Sequence, residues 1–312
     1  MQREFAIIVA LFVMLVVFTI VDPIYISSGN ILDIIEQSTI NGLLAIGITF
    51  AIITGGIDLS VGSTFAIVIV TVGNMLKAGV PPFVAILIGL VLGYLLGVVN
   101  GLLVTQMRLQ PFIATLGTMS VYRGIAYVIT GGWPVLSMPS TYRKMLDGDL
   151  IGDIPVSVLI LFAFAFVGYI YLKYLRAGMH LYAIGNNEEA TRLSGVNVDR
   201  LKTMAYGVCG VGAALSGMIL LARLGTGEPT AGQGYELNAI AAAAIGGTSL
   251  AGGKGSMLGT LLGALLLSAL KVGLIVAGVD TFWQFIATGL IIIIAAYFEI
   301  IQNKIQVAGY GK

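Results

Sequence analysis

Four stretches of this chain, Phe83–Thr105, Ile154–Leu172, Thr203–Ala222 and Thr281–Phe298, run at least 18 residues without one charged side chain. A helix rises about 1.5 Å per residue, so a hydrocarbon layer about 30 Å thick takes about 20 apolar residues to cross. In lipid every backbone polar group needs a partner within the protein, which only helices and closed barrels provide. Barrel strands alternate apolar and polar residues over about 10 positions, whereas these stretches are continuous. The chain therefore reads as an all-α polytopic membrane protein. Only 10% of its residues are charged, against about 25% in an ordinary soluble domain.

About ten transmembrane helices emerge, some of them short or broken: 5–21, 38–54, 60–76, 83–105, 112–130, 154–172, 203–222, 237–251, 257–277 and 281–300. They form a single transmembrane domain over 1–312. Arg3 followed by Phe5–Val21 is similar to a signal peptide, but the run is long and no small-residue cleavage site closes it. It reads as an uncleaved first span. The single cysteine, Cys209, sits inside an apolar run and excludes a disulfide framework. No basic cluster is large enough to bind nucleic acid.

Orientation follows from lysine and arginine in short loops. The 173–202 loop carries Lys173, Arg176, Arg192, Arg200 and Lys202, which predicts that it is cytoplasmic. Alternation from it puts both termini inside, with ten basic residues on that side against Lys77, Arg143, Lys144 and Arg223 on the other.

Glycines recur at spacings that share one helix face: Gly89, Gly93 and Gly97, then Gly255, Gly259 and Gly263. Small residues let helix backbones approach closely where lipid supplies no hydrophobic force. The stretch IGGTSLAGGKGS, Ile245–Ser256, is similar to a phosphate-binding loop, but Gly255 stands where a hydroxyl belongs and both flanks are apolar. It also echoes GGIDLSVGS, Gly55–Ser63. Such paired interruptions mark the functional core of many transporters. Lys254 then reads as a membrane-edge anchor or a subunit contact. Asp58 lies in the first of these interruptions, either as a functional group or as a solvated cap beside Ser60 and Ser63. Arg123 and Lys271 interrupt apolar runs and either snorkel to an interface or face the interior.

The polar segment YAIGNNEEATRLSGVNVDRLK, Tyr182–Lys202, contains a short helix. Asn186 or Asn187 caps it, Glu188 and Glu189 suit its dipole, and Gly195 stops it. Two turns are unstable alone in water, so the helix must pack on its own spans or on a partner. Glu189-Ala190-Thr191-Arg192-Leu193-Ser194-Gly195 resembles the E-A-A-x-x-x-G loop by which importer permeases of the ATP-binding cassette class dock on their ATPase. Thr191 replaces an alanine of that pattern, and a downstream Leu-Pro is missing. Together with GGIDLSVGS, PFIATLGTM (Pro111–Met119), YAIGNNEEATRLSGVNV and PTAGQGYELNAIAAAAIGGTSLAGGKGS (Pro229–Ser256), the chain resembles the ribose-type monosaccharide permease family from about residue 25 to 300.

The resemblance implies a short cytoplasmic coupling helix formed by Asn187, Glu188, Glu189, Ala190, Thr191, Arg192, Leu193 and Gly195. It implies no catalysis in this chain, no metal and no resident cofactor, since ATP and magnesium are bound by a separate cytoplasmic ATPase subunit. An extracytoplasmic sugar-binding protein would deliver the substrate, and a second permease copy, identical or related, would complete the path. The expected place is the bacterial cytoplasmic (inner) membrane. Family relatives carry ribose, xylose, galactose, other sugars and autoinducer-2, so the sugar stays open. Asn41, Thr49, Asp58, Asn100, Thr115 and Asn238 are candidate path residues; each could instead hydrogen-bond between helices. An ion-coupled secondary transporter, an intramembrane hydrolase and a passive channel are the other readings. Asp58 is the only candidate ion-binding carboxylate, and no serine motif accompanies the lone His180.

Overall fold

The computed structural model describes residues 2–151, 154–280, 282–290, 293, 294 and 297, and most of them are helical. In chain order the helices are α1 (Gln2–Val21), α2 (Ser28–Ile53), α3 (Val61–Lys77), α4 (Pro82–Thr105), α5 (Pro111–Thr130), α6 (Ser140–Asp147), α7 (Val156–Tyr174), α8 (Arg176–Asn186), α9 (Glu188–Leu193), α10 (Val198–Leu224), α11 (Tyr235–Ile245) and α12 (Met257–Val276). Residues 282–290 form a further helical segment. Short antiparallel strands β1 (Val135–Leu136) and β4 (Thr226–Gly227) pair with each other, as do β2 (Asp149–Ile151) and β3 (Ile154–Pro155).

Among the described residues seven helices, α1, α2, α4, α5, α7, α10 and α12, are long and apolar enough to cross a membrane. The expected segment 237–251 is not one helix. α11 stops at Ile245, and 246–256 is an irregular connection to α12. Gly246 and Gly259 explain the stop: a methyl on Gly246 would lie 2.4 Å from the Gly259 carbonyl carbon, so the chain there packs backbone on backbone. α2 begins ten residues before its expected start. Ser27 caps it, and the charge that interrupted the apolar run is matched across the bundle, where Glu36 meets Arg223 at 3.3 Å. The last expected span, 281–300, falls partly outside the described residues.

α10 is the central element, largely buried and packed on α2, α3 and α4. The expected α4 glycine face is what admits it. Added methyls on Gly93 and Gly101 would sit 2.5 Å from the Gly210 carbonyl oxygen and 2.6 Å from the Thr203 Cα, and one on Gly97 would overlap the Tyr206 carbonyl. Gly263 makes the same kind of contact with Ala242 of α11 and Gly259 with Gly246 just beyond it, while Gly255 lies before α12 and faces the Ile53 side chain. α1 packs mainly on α12, with Phe18 covering Gly273, and in the turn that follows α1 Tyr25 Oη donates to the Ala269 carbonyl at 2.8 Å.

The connections gather at two ends. At one, Gly253 N donates to Ile53 O at 2.9 Å, and the α4–α5 turn with Arg108 borders a cleft shared with α9 and α10. At the other, β1 meets β4, Arg143 Nε donates to Ala222 O at 2.9 Å, and Arg223 pairs with Asp147 at 3.1 Å.

Candidate functional site

Most of the expected 173–202 loop is helical. α8 precedes the capped helix, and Arg200 and Lys202 belong to the first turns of α10. Asn187 caps α9, its Oδ1 accepting from Ala190 N at 2.9 Å. Gly195 turns the chain with φ +83°, a conformation that side-chain-bearing residues resist. Thr191 is the residue of α9 that is buried, and its Oγ1 donates to Asn187 O at 2.8 Å. Ala190, Arg192 and Leu193 face outward, and Leu193 is 83% exposed.

Ion pairs lock this helix to α10. Arg192 meets Asp199 at 2.6 Å and Glu188 at 3.2 Å, and Lys202 meets Glu188 at 2.9 Å. Burial pushes the Glu188 carboxyl up, but Lys202 and Arg192 outweigh it and hold the group below its usual range. Hydrogen bonds to Asp199 and Glu188 raise the Arg192 guanidinium. A helix too short to persist alone is thus fixed by charge at its base and left apolar at its tip.

α8 reaches from α9 into the bundle. The Gly185 Cα lies against Ile53 O and Gly253 N with no room for a methyl, Tyr182 Oη donates to Gly255 O at 3.0 Å, and Asn186 Nδ2 donates to Gly253 O at 3.4 Å. The two echoing glycine stretches meet at this point: a methyl on Gly252 would lie 2.9 Å from Gly55 N.

Asp58 is not a solvated cap. It is 1% exposed, and its Oδ1 accepts from Ser60 N at 2.9 Å, Ser60 Oγ at 2.7 Å and Asn100 Nδ2 at 3.3 Å. Thr115 Oγ1 donates to Ile57 O at 3.1 Å, so Asp58, Asn100 and Thr115 share the 54–60 connection. Thr49 Oγ1 shares a hydrogen bond of 3.0 Å with Thr260 Oγ1, between α2 and α12. Arg123 faces the interior, donating to Pro229 O and Ala231 O at 2.7 Å and to Gly62 O at 3.1 Å.

Asn41 and Asn238 meet elsewhere. They line a cavity of about 240 Å³ between α2, α11, α12 and 282–290, with Gln233, Tyr235, Lys271 and Gln284. Asn41 Nδ2 donates to Ser268 Oγ at 3.1 Å, which orients its amide oxygen. No carboxylate is among the described residues that line this cavity. Amides, a phenol, a lysine and an apolar wall of leucines suit hydroxyl-rich solutes. Gln233, Tyr235 and Gln284 had no sequence signal beyond being polar groups at the ends of apolar segments.

The family model described as "Branched-chain amino acid transport system / permease component" matches residues 30–296. The chain is similar to the ribose import permease protein of Bacillus subtilis (strain 168), with 42% identity covering 93% of this chain and 90% of that one. It is 40% identical to the ribose import permease protein of Escherichia coli (strain K12), over 96% and 93% of the two chains. It is 37% identical to the D-allose transport system permease protein of the same strain, over 94% and 90%. No solved structure matches it.

Proposed function

The chain belongs to this permease family, and we propose that it forms the membrane path of an ATP-driven importer for a monosaccharide, ribose or a near relative. The ribose and allose permeases that it resembles support a sugar. In this reading the α8–α9 end is cytoplasmic and docks on a separate ATPase, which binds ATP and magnesium. The opposite end meets an extracytoplasmic sugar-binding protein, and a second permease copy, identical or related, closes the path. Both termini are then cytoplasmic.

One observation carries the coupling role: α9 is anchored by ion pairs while Ala190 and Leu193 stay exposed, and α8 joins it to both glycine connections. Force applied to α9 passes through Gly185 to the backbone at Ile53 and Gly253, where α2 ends and α12 is about to begin. Asn41 and Asn238 contact the sugar in the cavity. Asp58, Asn100 and Thr115 hold the connection that shapes the way past it, and Thr49 ties α2 to α12. Binding selectivity rests with the delivery protein, so the path needs only weak polar contacts that release the sugar.

The test is uptake of labelled ribose into proteoliposomes holding permease, ATPase and binding protein. ATP-dependent, vanadate-sensitive uptake is expected. Uptake driven by an ion gradient without the ATPase would replace this reading with secondary transport.

A further inference from the structure

The turn between α4 and α5 carries an anomaly. Arg108 has φ +54°, the left-handed conformation in which glycine is the ordinary residue at a helix end. The turn around it is well bonded, with Met107 N donating to Leu102 O at 3.3 Å and Leu109 N to Leu103 O at 3.2 Å. Backbone ease favours glycine here, so the arginine side chain needs a separate reason; strained residues of this kind gather at functional sites.

The surroundings supply one. Arg108 borders the cleft of about 520 Å³ that it shares with Gln110, Glu188, Arg192, Asp199 and Lys202. The four α9 and α10 charges pair off, Glu188 with Lys202 and Arg192 with Asp199. Among the described lining residues, Arg108 is the charged group that makes no ion pair or hydrogen bond of its own; its charge reaches Asp199 only at a distance, adding to the pull of Arg192 and Lys202 that holds that carboxyl below its usual range. Met107 beside it is 64% exposed.

We propose that Arg108 is a second docking point for the ATPase, taking an acidic side chain of that subunit in the cleft beside α9. This rests on the coupling role of α9. A partner carboxylate would meet the planar, always-charged guanidinium in a site already bordered by fixed dipoles and ion pairs. The two contacts together would prevent the ATPase from pivoting about α9 alone.

The decisive variant is Arg108→Gly, which relieves the backbone while removing the charge. The probe is the cytoplasmic ATPase subunit that co-purifies with the wild-type permease, titrated onto purified permease in uncharged detergent. Arg108→Gly should keep or raise the unfolding temperature while weakening ATPase association about tenfold, and Arg108→Glu should weaken it further. Association of the wild type should also fall more steeply with added salt than that of Arg108→Gly. Unchanged affinity of Arg108→Gly in uncharged detergent would overturn the proposal. Were a difference then to appear only in vesicles of anionic lipid, Arg108 would be a headgroup contact. If Arg108→Gly binds normally while Ala190→Trp and Gly195→Val do not, this inference fails and the α9 reading stands. If none of the three changes ATPase binding, both fail.

Discussion

The amide of Gly253 donates to the carbonyl of Ile53 across 2.9 Å, joining the end of α2 to the connection before α12. Gly185 of α8 lies against the same carbonyl. Three backbones from distant parts of the chain therefore meet at one oxygen, one of them leading directly to α9.

Gly185→Ala should strain this junction. Overpacking of this kind costs about 1–3 kcal/mol, which would appear as a lowered unfolding temperature in detergent. Sugar transported per ATP hydrolysed should fall as well. A wild-type ratio with unchanged stability would show that α8 does not transmit to the connections.

Ala190→Trp and Gly195→Val should preserve membrane insertion yet release the ATPase or uncouple hydrolysis from uptake. Co-purification beside proteoliposome uptake distinguishes these outcomes. Full association with normal uptake would make α9 a surface hairpin.

Asn238→Ala and Lys271→Met should raise the sugar concentration for half-maximal uptake about three- to tenfold, the scale of one lost hydrogen bond at about 0.5–1.5 kcal/mol. ATPase association should not change. Wild-type concentration dependence in both variants would remove the cavity from the path.

Glycine substitutions should divide by contact. Gly97→Leu or Gly210→Leu should abolish folded protein, because the opposing atoms are main-chain carbonyls of Tyr206 and Gly93. Gly117→Ala and Gly124→Ala on α5 meet nothing within 4 Å and should express normally. Fluorescence-detected gel filtration of detergent extracts reads the difference.

Cysteine reagents applied outside intact cells should label positions 147–149 and 278–280 and spare 186–200. Labelling of the last group would invert the orientation proposed here.

The continuous apolar spans were legible because lipid leaves the chain no other option. The α4 glycine face and the Asn187 cap were legible because helical spacing and local hydrogen bonding determine them. Long-range matches were not. The charges of α2 hid its first turns because Arg223, far along the chain, offsets Glu36. A solvated cap stayed open for Asp58 beside a functional role because nothing local shows Asn100 arriving beside it. The alanine-rich run after Leu237 looked long enough to span, and only the close approach of Gly259 explains its early end. Asn41 and Asn238 were among the expected path groups, but their shared cavity with Lys271 depends on how α2, α11 and α12 come together.

The seam between α1 and α12 has a consequence for how the molecule is made. α1 and the turn after it leave the ribosome long before Ala269 and Gly273, the residues that Tyr25 and Phe18 meet, have been synthesised. Until then α1 waits in the bilayer without its main neighbour. Its almost entirely apolar surface, with hardly any of it buried even in the finished fold, suits that wait. Closure of this seam therefore waits on α12, whose Ala269 follows Tyr25 by 244 residues.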